Sequence, residues 1–439
     1  DHRDLHSFPT RRSSDLEVIP LGGTVKLSNP QAAYAFEMAG PDSHHLGMVA
    51  PPDFSSAWLA GEMAELYWQA LCRDVPFTEY DTNPLIQAAA NDLTSFSDFR
   101  GPKINNKVTP QTLFRLGVPG DLRGPYISQF LWKDIPSGAT TLTQRYLTPV
   151  AGIDFMTEYA EWLNIQNGLV PSKALQYEAV PRYIHNGRSL GEYVHRDFSF
   201  QAVLNACLIL SGLGTNALAQ SNPYLHSTTQ VGFATFGSPH ILDFVVRAAR
   251  VSLEAAWFQK FLVHRRLRPE EFGGSVQNCM TGAVDYPINP ELLNSQVIVD
   301  VFNKYGTYLL PQAYPEGCPT HPAYPAGHAA IAGAGVTILK AFFNECFLLP
   351  APVVASSDGA TLLPYSGPPL TVGDELNKLA VNVAMGRDFA GIHWRTDTSE
   401  GIMLGEAVAI RILQDYRNTY NEDFSGFVIT KFDGTTVII

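Results

Sequence analysis

Between Phe198 and Gln220 the chain reads FSFQAVLNACLILSGLGTNALAQ, apolar on nearly every side at helical spacing. A helix with no polar face suits the centre of a large bundle better than a surface. The neighbours such a helix needs are written around it. SSAWLAGEMAELYWQALCRD (Ser55 to Asp74) opens on serine and repeats apolar residues every three to four positions, the pattern of a helix with one buried face. NPLIQAAANDLTSF (Asn83 to Phe96), ISQFLWKDI, DFMTEYAEWLNIQNG and PELLNSQVIVDVFNKYG read likewise. So do GHAAIAGAGVTILKAFFNECF, DELNKLAVNVAMGRDFAG and TDTSEGIMLGEAVAIRILQDYRN. His240 to Phe272 reads as one long helix stopped by Pro269. Strand signals are sparse. The clearest is the tail GFVITKFDGTTVII, where Asp433-Gly434 between β-branched runs predicts a type I′ hairpin. The expected architecture is all-α, a large multi-helix bundle with a small C-terminal β-hairpin.

With 439 residues, 45% of them hydrophobic, the chain can bury a large core. A formal net charge of −12 gives no general affinity for nucleic acid. No apolar run approaches the roughly 18 to 20 residues that span a bilayer, so the chain reads as soluble. Five scattered cysteines without a CxxC pair read as buried thiols rather than a disulfide set. The compartment stays open on that ground, secretion and a periplasmic location included. Residues 1–16 stand apart: His6 to Leu16, HSFPTRRSSDL, reads as the in-frame translation of a sequencing-adapter oligonucleotide. The natural N-terminus and any signal peptide would then be missing, and residues 17–439 form a single domain.

Three segments carry candidate chemistry. KFLVHRRLRP packs Lys260, His264, Arg265, Arg266 and Arg268 into a short stretch of an acidic chain. On one continuous helix Lys260, His264 and Arg268 would share a face. Taken alone, a salt-bridge network explains the cluster. GRDFAGIHWRTD sets Arg387 six residues before His393 across an Ala-Gly turn, and an ion-paired arginine with a core histidine would explain it equally. HPAYPAGHAAIAGAG places His321 and His328 about the mouth of a helix. That helix start offers free backbone N–H groups and a partial positive charge, and Gly327 lets an anion come close. A solvent-facing cap with incidental histidines is the plain alternative. Together, the three segments each offer a group suited to a tetrahedral oxyanion.

In this order the segments resemble the vanadium-dependent haloperoxidases, above all the algal bromoperoxidases and their bacterial relatives. That family's pattern is Lys followed eight residues later by Arg-Pro, then HPxYPSGH, then GRDxxGxH. Here it reads Lys260 and Arg268-Pro269, HPAYPAGH and GRDFAGIH. AYAFEMAGPDSHH, RDVPFTEYDTNPL and GPYISQFLWKDIPSG extend the likeness, which covers Glu17 to Ile439. One departure is Ala326, where the family has a serine that hydrogen-bonds a vanadate oxygen.

The resemblance implies an active site within residues 250–400 holding orthovanadate, with His393 as the ligand to vanadium. It implies Lys260, Arg268, Arg387 and the Gly327 N–H on the vanadate oxygens, with Ala326 beside them, His328 as general acid and base, and Lys260 also as a catalytic group that draws charge from bound peroxide. Hydrogen peroxide and halide are the implied substrates, giving hypohalous acid that halogenates organic acceptors. His321 in place of the phenylalanine of chloride oxidisers favours bromide or iodide. Trp257, one helical turn before Lys260, can line a halide pocket and leaves chloride open. Asp397, four residues after His393, could orient its ring, although a surface acid is the more ordinary reading. Relatives form homodimers or larger assemblies, so a homo-oligomer is expected. Calcium occurs in some relatives, and no ligand cluster here establishes it. The competing readings are a phosphatase of the same superfamily, with His393 as nucleophile, and a non-catalytic oxyanion-binding protein.

Overall fold

A computed structural model describes residues 22–439. The segment 1–16 read above as non-native lies outside the described residues.

Helices dominate, as the apolar periodicity requires. Ser56 caps α1 (Ala57–Cys72), its Oγ accepting from Leu59 N at 3.1 Å, and Asn83 caps α2 (Pro84–Ser95) through Leu85 N. α3 (Tyr159–Gln166), α4 (Gly187–Arg196), α5 (Gln201–Gly212) and α6 (Ser238–Phe258) follow. α6 runs on into a π turn, Gln259–His264, ahead of α7 (Pro269–Met280), the short α8 (Pro290–Leu293) and α9 (Gln296–Tyr305). α10 (Gly327–Phe342), α11 (Val372–Phe389) and α12 (Arg395–Arg417) complete the bundle.

The axis of the bundle is α10, buried continuously from Ala329 to Phe342 and packed against α6, α11 and α12. Its Ala/Gly composition is what permits this. A Cβ on Gly405 would lie 2.0 Å from Ala330 O, and one on Gly333 only 2.3 Å from Ile402 O. The backbones of α10 and α12 therefore touch, and any side chain at these glycines would force them apart.

Three small antiparallel hairpins decorate the helices: β1 (Ile135–Ser137) with β2 (Thr140–Leu142), β3 (Val353–Ala355) with β4 (Leu362–Pro364), and β5 (Val428–Thr430) with β6 (Thr436–Ile438). The expected tail hairpin is present, but its loop runs from Lys431 to Thr435. Gly434 has φ +84° and Asp433 is not in the left-handed region, so the two-residue type I′ turn is not formed.

Three helix expectations are corrected. The apolar run from Phe198 gives a shorter helix, because Gly214 at φ +82° turns the chain after α5. ISQFLWKDI forms only a 3-10 turn at Gln129–Leu131. Its Ser128 and Gln129 N–H groups donate to Asn382 Oδ1 and Glu375 Oε2 of α11 instead of to a helix of their own. The helix from His240 does not reach Pro269. It ends where Arg265 adopts φ +48° and donates its N–H to Lys260 O, and Pro269 opens α7. The extended backbone at Arg268 is what a residue before proline adopts.

The five thiols are unpaired. Cys72 and Cys207 are buried, whereas Cys346 is exposed. Among the described residues no helix is long and apolar enough to cross a membrane.

Candidate active site

The break after His264 places Lys260 and Arg268 on different elements that face one loop. Lys260, fully buried, donates from Nζ to Pro322 O at 2.9 Å and Ala323 O at 2.8 Å. Arg268 donates from Nε to His321 O at 2.9 Å and from Nη1 to Ile392 O at 2.7 Å. The same guanidinium reaches both candidate histidines: Nη1 lies 3.0 Å from His393 Nε2, and Nη2 lies 3.0 Å from His321 Nδ1. The His321 ring rests on Trp257, with centroids 4.7 Å apart.

His393 sits in the corner between α11 and α12. Gly391 makes that corner at φ +86°, so tightly that a Cβ there would meet Gln312 Nε2 at 2.8 Å. Its Nδ1 lies 2.9 Å from Asp397 Oδ2, an oxygen that also accepts from Trp394 N. A carboxylate there fixes Nδ1 as the protonated nitrogen and leaves a lone pair on Nε2. Arg387, in the last turn of α11, donates from Nη1 to Val194 O at 2.6 Å. Its Nε is buried without a partner.

The start of α10 closes the site. A Cβ on Gly327 would lie 3.2 Å from the Trp257 ring that carries His321. Ala326 N donates to Asp397 O at 2.9 Å, tying the mouth of α10 to α12. His328, in the first turn, has its Nε2 at 2.9 Å from Asp197 Oδ1.

Charge decides what such a place can hold. Arg73, Arg395 and Lys378 are as deeply buried, and each meets a carboxylate: Asp154, Glu65 and Glu375. Lys260, Arg268 and Arg387 are 0%, 4% and 7% exposed, yet none forms an ion pair with a carboxylate among the described residues. Burial, reinforced by the Arg268 and Arg387 charges and opposed only by Asp397, pushes the Lys260 ammonium well below its usual value. Burial and the Arg268, Lys260 and Arg387 charges hold His393 well below the ordinary histidine value, so its ring is neutral at neutral pH. Burial and the Lys260 and Arg268 charges do the same to His321. Three uncompensated buried cations and an orphaned guanidinium Nε call for a multiply charged anion. A tetrahedral oxyanion such as vanadate fits that donor set, and the His393 Nε2 lone pair is of the kind that ligates a metal.

The structure thus brings Lys260, Arg268, His321, Arg387 and His393 together, with Ala326, Gly327 and His328 at the adjoining helix mouth. It corrects three details. His264 does not share their face; it packs edge-on against Tyr324, centroids 4.8 Å apart. Arg266 is the member of the basic run that forms the ordinary salt-bridge network, donating at 2.8 Å to both Glu62 and Asp397. Asp397 is not a surface acid but fully buried. Asp197 was missed, since nothing in the sequence joins it to a histidine 131 positions away.

Fold and site together are a helical bundle enclosing a buried cationic pocket suited to an oxyanion. Residues 303–422 match the model of the VCPO second helical-bundle domain. The chain is 35% identical over 458 residues to the vanadium-dependent bromoperoxidase of Ascophyllum nodosum, an alignment covering 96% of this chain and 81% of that one. It is 35% identical over 475 residues to the vanadium-dependent bromoperoxidase of Corallina officinalis, covering 94% of this chain and 79% of the relative. Among solved structures it resembles the homohexameric second vanadate-dependent bromoperoxidase of Ascophyllum nodosum, with a TM-score of 0.89 and 32% identity over 94% of this chain and 76% of that one. The chain belongs to the vanadium-dependent haloperoxidase family.

Proposed function

We propose that the protein uses hydrogen peroxide to oxidise bromide, and that the hypobromous acid formed brominates organic acceptors. The observation that carries this is the trio of buried cations that form no ion pair among the described residues, Lys260, Arg268 and Arg387, gathered about the neutral ring of His393. His393 Nε2 would bind the vanadium of a vanadate whose oxygens rest on those three side chains and on the Gly327 N–H. When bound, vanadate supplies Lewis acidity that polarises peroxide without any change of oxidation state.

The residues divide the remaining work. Asp397 holds the His393 tautomer, Arg266 holds Asp397, and Glu62 in turn holds the other end of the Arg266 guanidinium. Asp197 fixes His328 through Nε2, which leaves Nδ1 to take up and release the proton of the incoming peroxide. His321, neutral and tilted against the Trp257 ring, is a positioning residue for Arg268 and sets the polarity beside it. The relatives' names as bromoperoxidases agree with bromide. We read residues 17–439 as one domain, since a single apolar cluster extends from Leu59 to Ile439. The solved relative is a homohexamer, and we read this chain as a homo-oligomer as well.

The test is a halide panel with hydrogen peroxide, before and after vanadate loading, run beside phosphate-ester hydrolysis on the same preparation. Vanadate-dependent turnover with bromide is expected. Phosphate-ester hydrolysis without it would assign the site to a phosphatase instead, and neither activity would leave an oxyanion-binding protein.

Ala326 adds a second test. It is the N-cap of α10, buried, and makes no side-chain hydrogen bond. Ala326→Ser offers one more donor to a charged oxygen, a bond worth about 1.5–3 kcal/mol, so orthovanadate should bind roughly 10- to 150-fold tighter in a titration. A serine that merely caps the helix would raise the melting temperature and leave the affinity unchanged, contradicting a vanadate oxygen at this position.

A further inference from the structure

Away from the anion site, the loop that leads from the N-terminal strap into α1 brings three ligand-bearing side chains to one point. Asp42, His44 and His45 each offer one ligand atom, and these atoms all lie within 4.8 Å of one another. We infer that this group is a binding site for a divalent transition-metal ion of the zinc class, and that it holds the loop in the form that packs beside the turn carrying Lys260.

Two imidazoles and one carboxylate are the ligands that zinc and its first-row neighbours prefer, whereas calcium and magnesium take oxygen ligands. Atoms no more than 4.8 Å apart leave a common point at most about 2.8 Å from each, so movements of under about 1 Å reach zinc-ligand distances of roughly 2.0–2.2 Å. The exposed side chains have room for that movement, His45 being 55% and Asp42 22% exposed. Three protein ligands leave further positions to water.

The loop is already shaped to hold them. Asp42 Oδ1 accepts from Glu37 N at 3.0 Å, which leaves Oδ2 turned to His45 Nε2 at 3.8 Å. Ser43 Oγ donates to Ala35 O, and His45 N donates to Asp42 O at 3.0 Å. One contact must be exchanged. Asp42 N donates to His45 Nδ1 at 3.2 Å, and a metal on Nε2 moves the ring proton to Nδ1, so that long bond gives way to the metal bond.

What the site fastens is the reason it matters. The His44 ring lies 6.1 Å from that of Phe258, the last residue of α6. Gln259, next in the chain, donates from Nε2 to Leu46 O at 2.8 Å. The loop therefore packs beside the start of the π turn, through His44 of the ligand group and through Leu46 just after it.

The experiment is equilibrium dialysis of the chelator-treated full chain, free of vanadate, against zinc, with calcium and magnesium as separate arms. Wild type should retain one more zinc ion per chain than His44→Ala/His45→Ala, and neither calcium nor magnesium should bind there. Zinc at a hundredfold excess over Kd should also raise the wild-type melting temperature by roughly 3 °C and that of the double variant by less. His45→Gln, a milder change, should lose the same ion if the double variant folds poorly. Equal zinc content in wild type and variants, or no zinc on wild type, would overturn the assignment. None of these readings depends on halide turnover, so bromoperoxidase activity could fail while the metal site stands.

Discussion

His393→Ala should abolish vanadate-dependent bromination and saturable vanadate binding together. Residues that only orient a metal ligand cost roughly 10- to 100-fold when removed, and His393 is the ligand in our proposal, so the loss should exceed that range. The ring is held neutral by burial and by the Arg268, Lys260 and Arg387 charges. Its Nδ1 is committed to Asp397, so the pair of electrons on Nε2 is the donor left to a metal. Alanine removes it while the three cations stay, so any residual oxyanion affinity should be electrostatic and fall steeply with salt. Vanadate titration and bromination rate on the same samples measure both halves. Unchanged turnover in the variant would remove His393 from the ligand position.

Asp397→Asn tests how that nitrogen is prepared. Asp397 accepts from His393 Nδ1 and Trp394 N on one oxygen and from Arg266 on the other. An amide has one oxygen for these three donors. If it faces Arg266, the NH2 group meets Nδ1 and drives the ring into the tautomer with the proton on Nε2, where vanadium should bind. If it faces His393, the NH2 group meets the Arg266 guanidinium and a buried donor is left unpaired. Vanadate affinity should fall about 10- to 100-fold, and stability by roughly 1–3 kcal/mol. The shape of the side chain is unchanged, so the loss reports hydrogen-bond polarity and not packing. An affinity within twofold of wild type together with unchanged stability would show that Asp397 does not set the His393 tautomer, whereas lost stability alone would mean that the amide oxygen still faces His393.

The chain disclosed its chemistry more readily than the path between its chemical groups. Lys260, Arg268, Arg387 and His393 could be named because an isolated basic run and an Arg-His pair in an acidic chain are compositional anomalies, and because their spacing matches a family pattern. The helix carrying Lys260 was read as continuous, since periodicity records apolar residues and not the left-handed Arg265 that ends the turn. Asp397 was undervalued because charge favours the surface in the absence of partners. Its burial rests on Arg266 and on backbone N–H groups that only the folded chain assembles. Asp197 left no trace, because a single long-range hydrogen bond has no local signature. The centre of the bundle was misplaced for a related reason. Hydrophobicity pointed to α5, but alanine and glycine let α10 pass closest to its neighbours.

The π turn Gln259–His264 has a consequence for how this chain can change. A π turn holds about one residue more than a turn of α-helix, which is why such turns are rare in helices with no task to perform. Loss of one residue between 261 and 264 would turn the π turn into ordinary α-helix as far as Arg265 and improve local regularity. It would also rotate everything downstream by about 100°, parting Arg268 from Lys260. Over these six residues, then, the better helix is the worse enzyme, and a shortened version of this segment should survive only in descendants that have given up the anion.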